Sequence, residues 1–562
     1  MIRALIGSRM GRDRVVRRLR AALADVLVRE ALIAASLAGT LAALFAWLGP
    51  PGNDLAAHVY LRWEFLQHGL AFWSNLWYSG RYSYITYSPL YYPLAGLIGI
   101  RLLATLSIAA AAFAFAYVIG RQWGPTARWS SRSFAVLWAG IVFSAAFPFV
   151  LGATIALYAI WALQSHARWR FAALAALTMI ASPLAFVFLA VVSAGLGLSR
   201  VKDLAFRRDL SRLRSPALAL AACVFLGLLT WRMFPSQGRY PFGVRALLEI
   251  VAFCALGTAL TWRVERARML RWIFPVYLAA SLIVFAVPSQ VGANVGRFRL
   301  IALPLALLAF SLRGYRPRLF VAPVLALALF WNLGPIAEGF NHGRSDPGSN
   351  ADYWSPAIGF LHENLTPSYR VEVVDTVNHW AAVYLPQTGI PITRGWFRQD
   401  DYPQNEVLYK DPTRRPYLAW LRNQGVRYVI LTQAPTDYSS RDEAALIRSG
   451  NSGLLPVFRA RNLTVYRVPG ARSIVTGPGR PRVLSLAETQ IQLWLSTPGR
   501  YRLAVHFSPY SNAQGVCLEK TADNMTELVS TRAGVVKLDF NVGAARALAV
   551  LAGTKTSNCV TG

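Results

Sequence analysis

Eleven apolar runs dominate the first 335 residues, at 31–49, 102–120, 133–150, 152–165, 171–183, 184–199, 216–234, 244–262, 272–288, 299–312 and 319–335. Runs this frequent leave a water-soluble chain nowhere to put them, so most of this part must lie in lipid. Several are shorter than the ~20 residues of a perpendicular span, which sets the expectation at about eleven spans. Composition agrees: 55% of the 562 residues are hydrophobic and only 15% charged, with a mean hydropathy of +0.36. An array of soluble domains is thereby excluded, and an aromatic content of 12% excludes disorder. The net charge of +31 first suggests nucleic acid, but its position removes that reading. Up to Pro335 there are 34 basic and 9 acidic residues; after it there are 24 and 18, so most of the excess belongs to the apolar part.

Within that part the basic residues cluster at 3–29, 121–132, 168–170, 200–214, 263–271 and 313–318, and alternate with sparsely charged loops such as Pro235–Gly243 and Ser289–Gly296. The positive-inside bias then puts the N-terminus in the cytoplasm and everything after Pro335 outside. The stretches 133–165 and 171–199 each start and end at a basic cluster, so each is expected to be a hairpin, turning near Phe147-Pro148-Phe149 and Ser182-Pro183-Leu184. No small-x-small cleavage site follows the first run, which is therefore expected to stay as an anchor. The expected layout is a cytoplasmic basic segment 1–30, a membrane domain 31–335 with an outer loop 50–101, and exported domains at 336–482 and 483–562, all in a plasma (inner) membrane. The fold class is a polytopic α-helical membrane protein carrying an exported α/β subdomain and a β-sandwich.

Segment 353–470 alternates helical patterns (Ala357–Glu363, Arg415–Gln424, Asp442–Arg448) with strand patterns (Val371–Val374, Val426–Leu431, Leu463–Val468), following a polar linker at Asn341–Asp352. Beyond the Gly/Pro punctuation at 470–481, strands are expected at Gln490–Leu495, Tyr501–Phe507, Val516–Lys520, Val535–Asn541 and Ala547–Leu551. Cys517 and Cys559 are the exported cysteines and would pair in an oxidising compartment, whereas Cys223 and Cys254 sit inside apolar runs. No Cys/His spacing of metal-binding type occurs.

Acids are scarce, and that narrows the chemistry. Six of the nine before Pro335 lie in basic segments on the cytoplasmic side, leaving Asp54, Glu64 and Glu249. An acid beside lipid is costly and is retained with a partner or a function. Asp54 directly follows the first run and opens the pattern Asp54-Leu-Ala-Ala-His58, whose i, i+4 spacing places both side chains on one helix face. A second reading makes Asn53 or Asp54 the N-cap of an amphipathic helix from Leu55 to Gln67. The loop that follows is dense in aromatics, among them Trp73, Trp77, Tyr78 and Tyr87, and also carries Arg81. Such a loop serves either as an interfacial belt or as a platform for sugar rings. Arg239 and Arg297 stand on the side that otherwise avoids positive charge, Arg297 one turn from Asn294; they suit either a phosphate or lipid headgroups. In the exported part, Arg394-Gly-Trp396-Phe-Arg398-Gln399-Asp400 is polar, aromatic and glycine-punctuated, as a binding loop facing the membrane cavity would be.

An acid after the first span, an amphipathic helix, an aromatic outer loop, a many-span body and an exported C-terminal domain together resemble the GT-C superfamily of integral-membrane glycosyltransferases. The likeness is sharpest over Asn53–His58, where Asp54 matches the acid of the family's first outer loop. It implies transfer of a sugar from a polyprenyl-phosphate donor to a cell-envelope glycan or glycolipid acceptor, with inversion. In that reading Asp54 is the general base and His58 either orients it or contacts a substrate oxygen. Arg239, Asn294 and Arg297 bind the donor phosphate. Glu64, Trp73, Trp77, Tyr78, Arg81, Tyr87 and the 394–400 loop hold the acceptor. Asn53-Asp54 replaces the doubled acid of some members, so a divalent cation is left open rather than required. A flippase of lipid-linked glycan and a glycan-binding scaffold are the competing readings. The lipid bilayer is the expected surrounding and nucleic acid is not a partner.

Overall fold

A computed structural model describes residues 25–201, 210–236 and 238–553. Most of the basic segments 3–29 and 200–214, and Cys559, lie outside them; Cys517 is disulfide-bonded and Cys223 and Cys254 are free. Each of the eleven apolar runs falls mainly on a helix. Among the described residues, eight helical stretches have the length and apolarity to cross a membrane. The difference from eleven has a physical basis. Arg168–Ala181 has only 14 residues, and Pro183–Ser199 is also a shorter apolar helix. The 44-residue stretch Ile100–Phe143 contains two runs. It folds back at Gly124–Ala127, so that Phe115 stacks on Phe134 with centroids 4.1 Å apart.

The hairpin turns fall where proline and small residues interrupt the apolar pattern, at Ser144–Ala146 before the Phe147–Gln164 helix and at Ser182 before the helix starting at Pro183. The first of these turns holds the segment leading to Asp54. The Asn53 amide donates to the Phe143 carbonyl at 3.1 Å and that of Asp54 to Ser144 at 3.0 Å. Glycines permit this approach: a Cβ on Gly52 would lie 2.4 Å from the Val142 oxygen, and one on Gly343 only 2.3 Å from that of Pro51. Gly343 belongs to the last long helix, Arg318–Ser345. That helix runs through Pro335 and takes in the first five residues of the expected polar linker, up to Ser345, carrying Glu338 and His342 to the same end of the bundle.

After a short antiparallel pair in the outer loop, β1 (Trp73–Ser74) with β2 (Arg81–Tyr82), the α/β part is a four-stranded sheet built from β3 (Arg370–Val373), β4 (Val426–Thr432), β5 (Leu455–Arg459) and β6 (Leu463–Arg467), in the order β3-β4-β6-β5. Only the β3–β4 pair is parallel. The last part has two four-stranded antiparallel sheets around one apolar core. One holds β7 (Val475–Thr476), β10 (Gly499–His506), β12 (Val516–Lys520) and β13 (Met525–Ser530); the other holds β8 (Arg482–Leu486), β9 (Gln490–Leu495), β11 (Ser511–Ala513) and β14 (Gly534–Phe540). The strand expected at Ala547–Leu551 is instead the helix Ala544–Ala552. Its Ala-rich sequence favours helix, and Ala547 and Val550 one turn apart bury themselves against the sandwich core.

Candidate functional site

Three spaces converge where the Asp54 segment meets the α/β domain. The first is a polar cavity of about 330 Å³ lined by Asn53, Asp54, Tyr87, the Ser182–Leu184 turn, Gln290–Arg297, Glu338, His342 and the α/β residues His379, Trp396–Asp400, Asp437 and Tyr438. The second, about 430 Å³, lies on the far side of Asn53, Asp54, Asn294 and Arg297 and is walled by Trp138, Ile141, Asn332 and Ile336. The third is an apolar groove of about 190 Å³ that runs between helices from Gln122 and Trp123 to Phe149 and Arg297. Arg297 borders all three spaces and Asp54 borders two.

Asp54 precedes the helix Leu55–His68, yet its side chain makes no capping hydrogen bond. Its Oδ2 is buried without a hydrogen-bond partner and faces Arg297 Nη2 at 3.6 Å. Burial raises the carboxyl to about 6 against the opposing pull of the Arg297 and His379 charges. A carboxylate so placed accepts a proton near neutrality, as a general base must. Arg297 also lies over the Phe149 ring, its guanidinium carbon 5.7 Å from the centroid. Of the other two acids singled out, Glu249 pairs with Arg299 and Arg245. Glu64 bonds to Ser83 in a buried contact with the sandwich residue Glu488, whose charge joins burial in raising its pKa.

On the α/β side, Arg398 pairs with Asp437 at 2.6 Å, and Arg81 reaches across from the long loop to Asp400 at 2.7 Å with its guanidinium over Phe397. His379 stands between Asp375 at 3.3 Å and Asp437 at 3.7 Å. Burial alone would discharge this imidazole, but the two carboxylates outweigh it and push its pKa up to about 9. Arg398 Nη2 lies 2.9 Å from His379 Nε2, and both side chains face Asp437. The cavity thus carries Asp54, Arg297 and Glu338 on the helical side, and the Arg398–Asp437 and Arg81–Asp400 pairs on the side of the α/β domain.

Asp54, Asn294, Arg297, Arg81, Tyr87, Trp396, Arg398, Gln399 and Asp400 all line this cavity. His58 does not: its ring is fully buried, with Nδ1 near the Tyr92 hydroxyl at 3.2 Å and Nε2 at 2.9 Å from the Ala145 carbonyl, and burial lowers its pKa to about 3. Arg394 is buried beneath the cavity wall between Asp375 and Asp401, each at 3.1 Å. Arg239 pairs with Glu406 at 2.8 Å. Trp77 is packed on Tyr60 and donates to the Ala382 carbonyl, while Trp73 stacks on Phe540 of the sandwich. Tyr78 is buried beside the glycine of the 394–400 loop, Gly395. Glu338, His342, Asp437 and Tyr438 carry no local signal in the sequence; they join the site through the continued helix and the sheet.

Among the described residues, no group of three or more His, Cys, Asp or Glu side chains could hold a metal ion. No family model matches the chain, and no curated protein does. Among solved structures it is similar to the arabinofuranosyltransferase AftD from mycobacteria, at 16% identity and a TM-score of 0.45, over 86% of this chain and 42% of that one. A mutant of AftD gives 14% identity and the same TM-score of 0.45, over 92% and 60%. The chain therefore spans less than two thirds of either.

Proposed function

We propose that the chain transfers a sugar from a polyprenyl-phosphate donor to an envelope glycan or glycolipid acceptor, at the outer face of the membrane, with Asp54 as general base. The observation that carries this reading is the convergence on Asp54 and Arg297 of an apolar groove and two polar cavities. A lipid-linked sugar has that division of character: an isoprenoid tail for the groove, a phosphate for Arg297 and Asn294, and a sugar for the polar cavity. Asp54 takes the proton of the acceptor hydroxyl as its oxygen bonds to the anomeric carbon, while the carbon–phosphate oxygen bond breaks and the phosphate leaves as a monoester beside Arg297. One direct displacement inverts the anomeric centre.

The test is an assay of purified protein with a panel of polyprenyl-phosphate sugars, native against Asp54→Asn. Transfer from at least one of them, lost in the variant, is expected. Transfer from nucleotide sugars alone, or full activity of Asp54→Asn, would overturn the proposal.

A further inference from the structure

A smaller chamber continues from the polar cavity toward the β-sandwich, and the Arg81–Asp400 ion pair and Thr86 border both. Its walls come from four parts of the chain: Trp73 and Tyr82 from the long loop, Ser236 from the loop at 235–243, Tyr402 from the α/β domain, and His506 and Asn524 from the sandwich. It holds about 70 Å³, room for the edge of one sugar ring rather than a chain.

The chemistry of the ligand follows from His506. Its Nδ1 lies 3.0 Å from the Gly80 carbonyl, which only accepts, so Nδ1 carries the hydrogen. Burial lowers the ring to about 4, leaving it neutral with a bare lone pair on Nε2. That Nε2 is buried with no partner. An orphaned acceptor in a lined chamber calls for a hydroxyl or amide donor, not an anion. The charged neighbours Arg81 and Asp400 already satisfy each other, and the Tyr82 hydroxyl is paired with Ser508 at 3.1 Å. Aromatic walls beside this acceptor and the uncharged polar side chains of Ser236, Gln404 and Asn524 suit a neutral saccharide.

We infer that this chamber is a subsite for one further sugar unit of the acceptor, held among the aromatic walls with a hydroxyl donating to His506 Nε2. The inference rests on the sugar-transfer reading above, and makes the sandwich part of acceptor selection.

The experiment is a binding measurement, so that it stands apart from activity. The purified full chain in nanodiscs is titrated with methyl glycosides of arabinofuranose and mannopyranose, and with the disaccharide of each. At least one disaccharide is expected to bind about tenfold tighter than its monosaccharide. His506→Phe should abolish that preference and leave monosaccharide binding unchanged. Asn524→Gly, which keeps the positive φ of this residue, should reduce the preference and guards against a misfolded His506 variant. Asp54→Asn should keep it. Equal affinities in the native protein, absence of binding across the panel, or a preference that survives both sandwich variants overturns the subsite. Loss of transfer from every lipid donor with the preference intact would instead strike the reaction assignment alone.

Discussion

Arg297 Nη2 stands 3.6 Å from Asp54 Oδ2 at the point where an apolar groove opens into the polar cavity. The separation is longer than a hydrogen bond, so the carboxylate keeps a lone pair for another donor while still feeling the guanidinium charge. In the proposed reaction the two residues have separable roles. Asp54→Asn removes a proton acceptor of nearly the same size and should lower kcat by roughly 10²- to 10⁴-fold with donor affinity retained. Arg297→Met removes the phosphate partner and should raise donor KM by roughly 10- to 100-fold. Steady-state kinetics on both variants check the division; an Asp54→Asn defect confined to KM would contradict it.

The same pair sets the pH dependence. A base works only when ionised, and burial places the Asp54 carboxyl near 6. Activity should thus be full above about 7 and fall as pH drops through 6, with kcat/KM following a single protonation on the acid side. Arg297 opposes the effect of burial, so its loss should move the acid limb to higher pH. A pH–rate profile of native protein and Arg297→Met, measured with saturating acceptor, tests the sign.

His379 gives a prediction on stability. Its folded pKa of about 9 lies above the ordinary value of 6.5, so the folded state holds a proton that the unfolded chain releases. The stabilisation is fully present below about 6.5 and is lost as pH rises through 9. It amounts to roughly 3 kcal/mol at most, given ~1.4 kcal/mol per pKa unit. Thermal unfolding of the purified chain should decline between pH 7 and 9, and His379→Gln should flatten that decline while unfolding earlier at pH 6.

What the sequence makes legible follows the range of its signals. Asp54 is found by scarcity, because position alone leaves three acids from which to choose, and the apolar runs and the strands Gln490–Leu495 and Val516–Lys520 are carried by local periodicity. The i, i+4 spacing of Asp54 and His58 misleads, since the chain enters the helix at Asp54 and only His58 lies a full turn inside, where it turns to Ala145. Aromatic density marks the long loop, but composition does not say that Trp77 packs on Tyr60 whereas Tyr87 faces the cavity. Glu338 is hidden for another reason: Pro335 reads as a helix end, yet packing of Gly339 and Gly343 against the Phe143 and Pro51 backbones carries the helix onward.

The apolar groove gives the last prediction. Ala153, Ala156 and Leu157 on the Phe147–Gln164 helix border, with Leu189 and Phe274, a space that side chains leave open. A prenyl tail filling it gains ~0.8 kcal/mol for each methylene taken out of water. Ala153→Phe puts a ring into that space without touching Asp54 or Arg297. It should raise KM for a long-chain polyprenyl-phosphate sugar by roughly 10- to 100-fold, the loss expected if about two or three methylene equivalents of the tail are displaced. A donor analogue with a tail of a single isoprene unit should be used with unchanged kcat/KM. Equal losses for both donors would mean that the ring disturbs the site itself, and no loss for either would place the tail elsewhere.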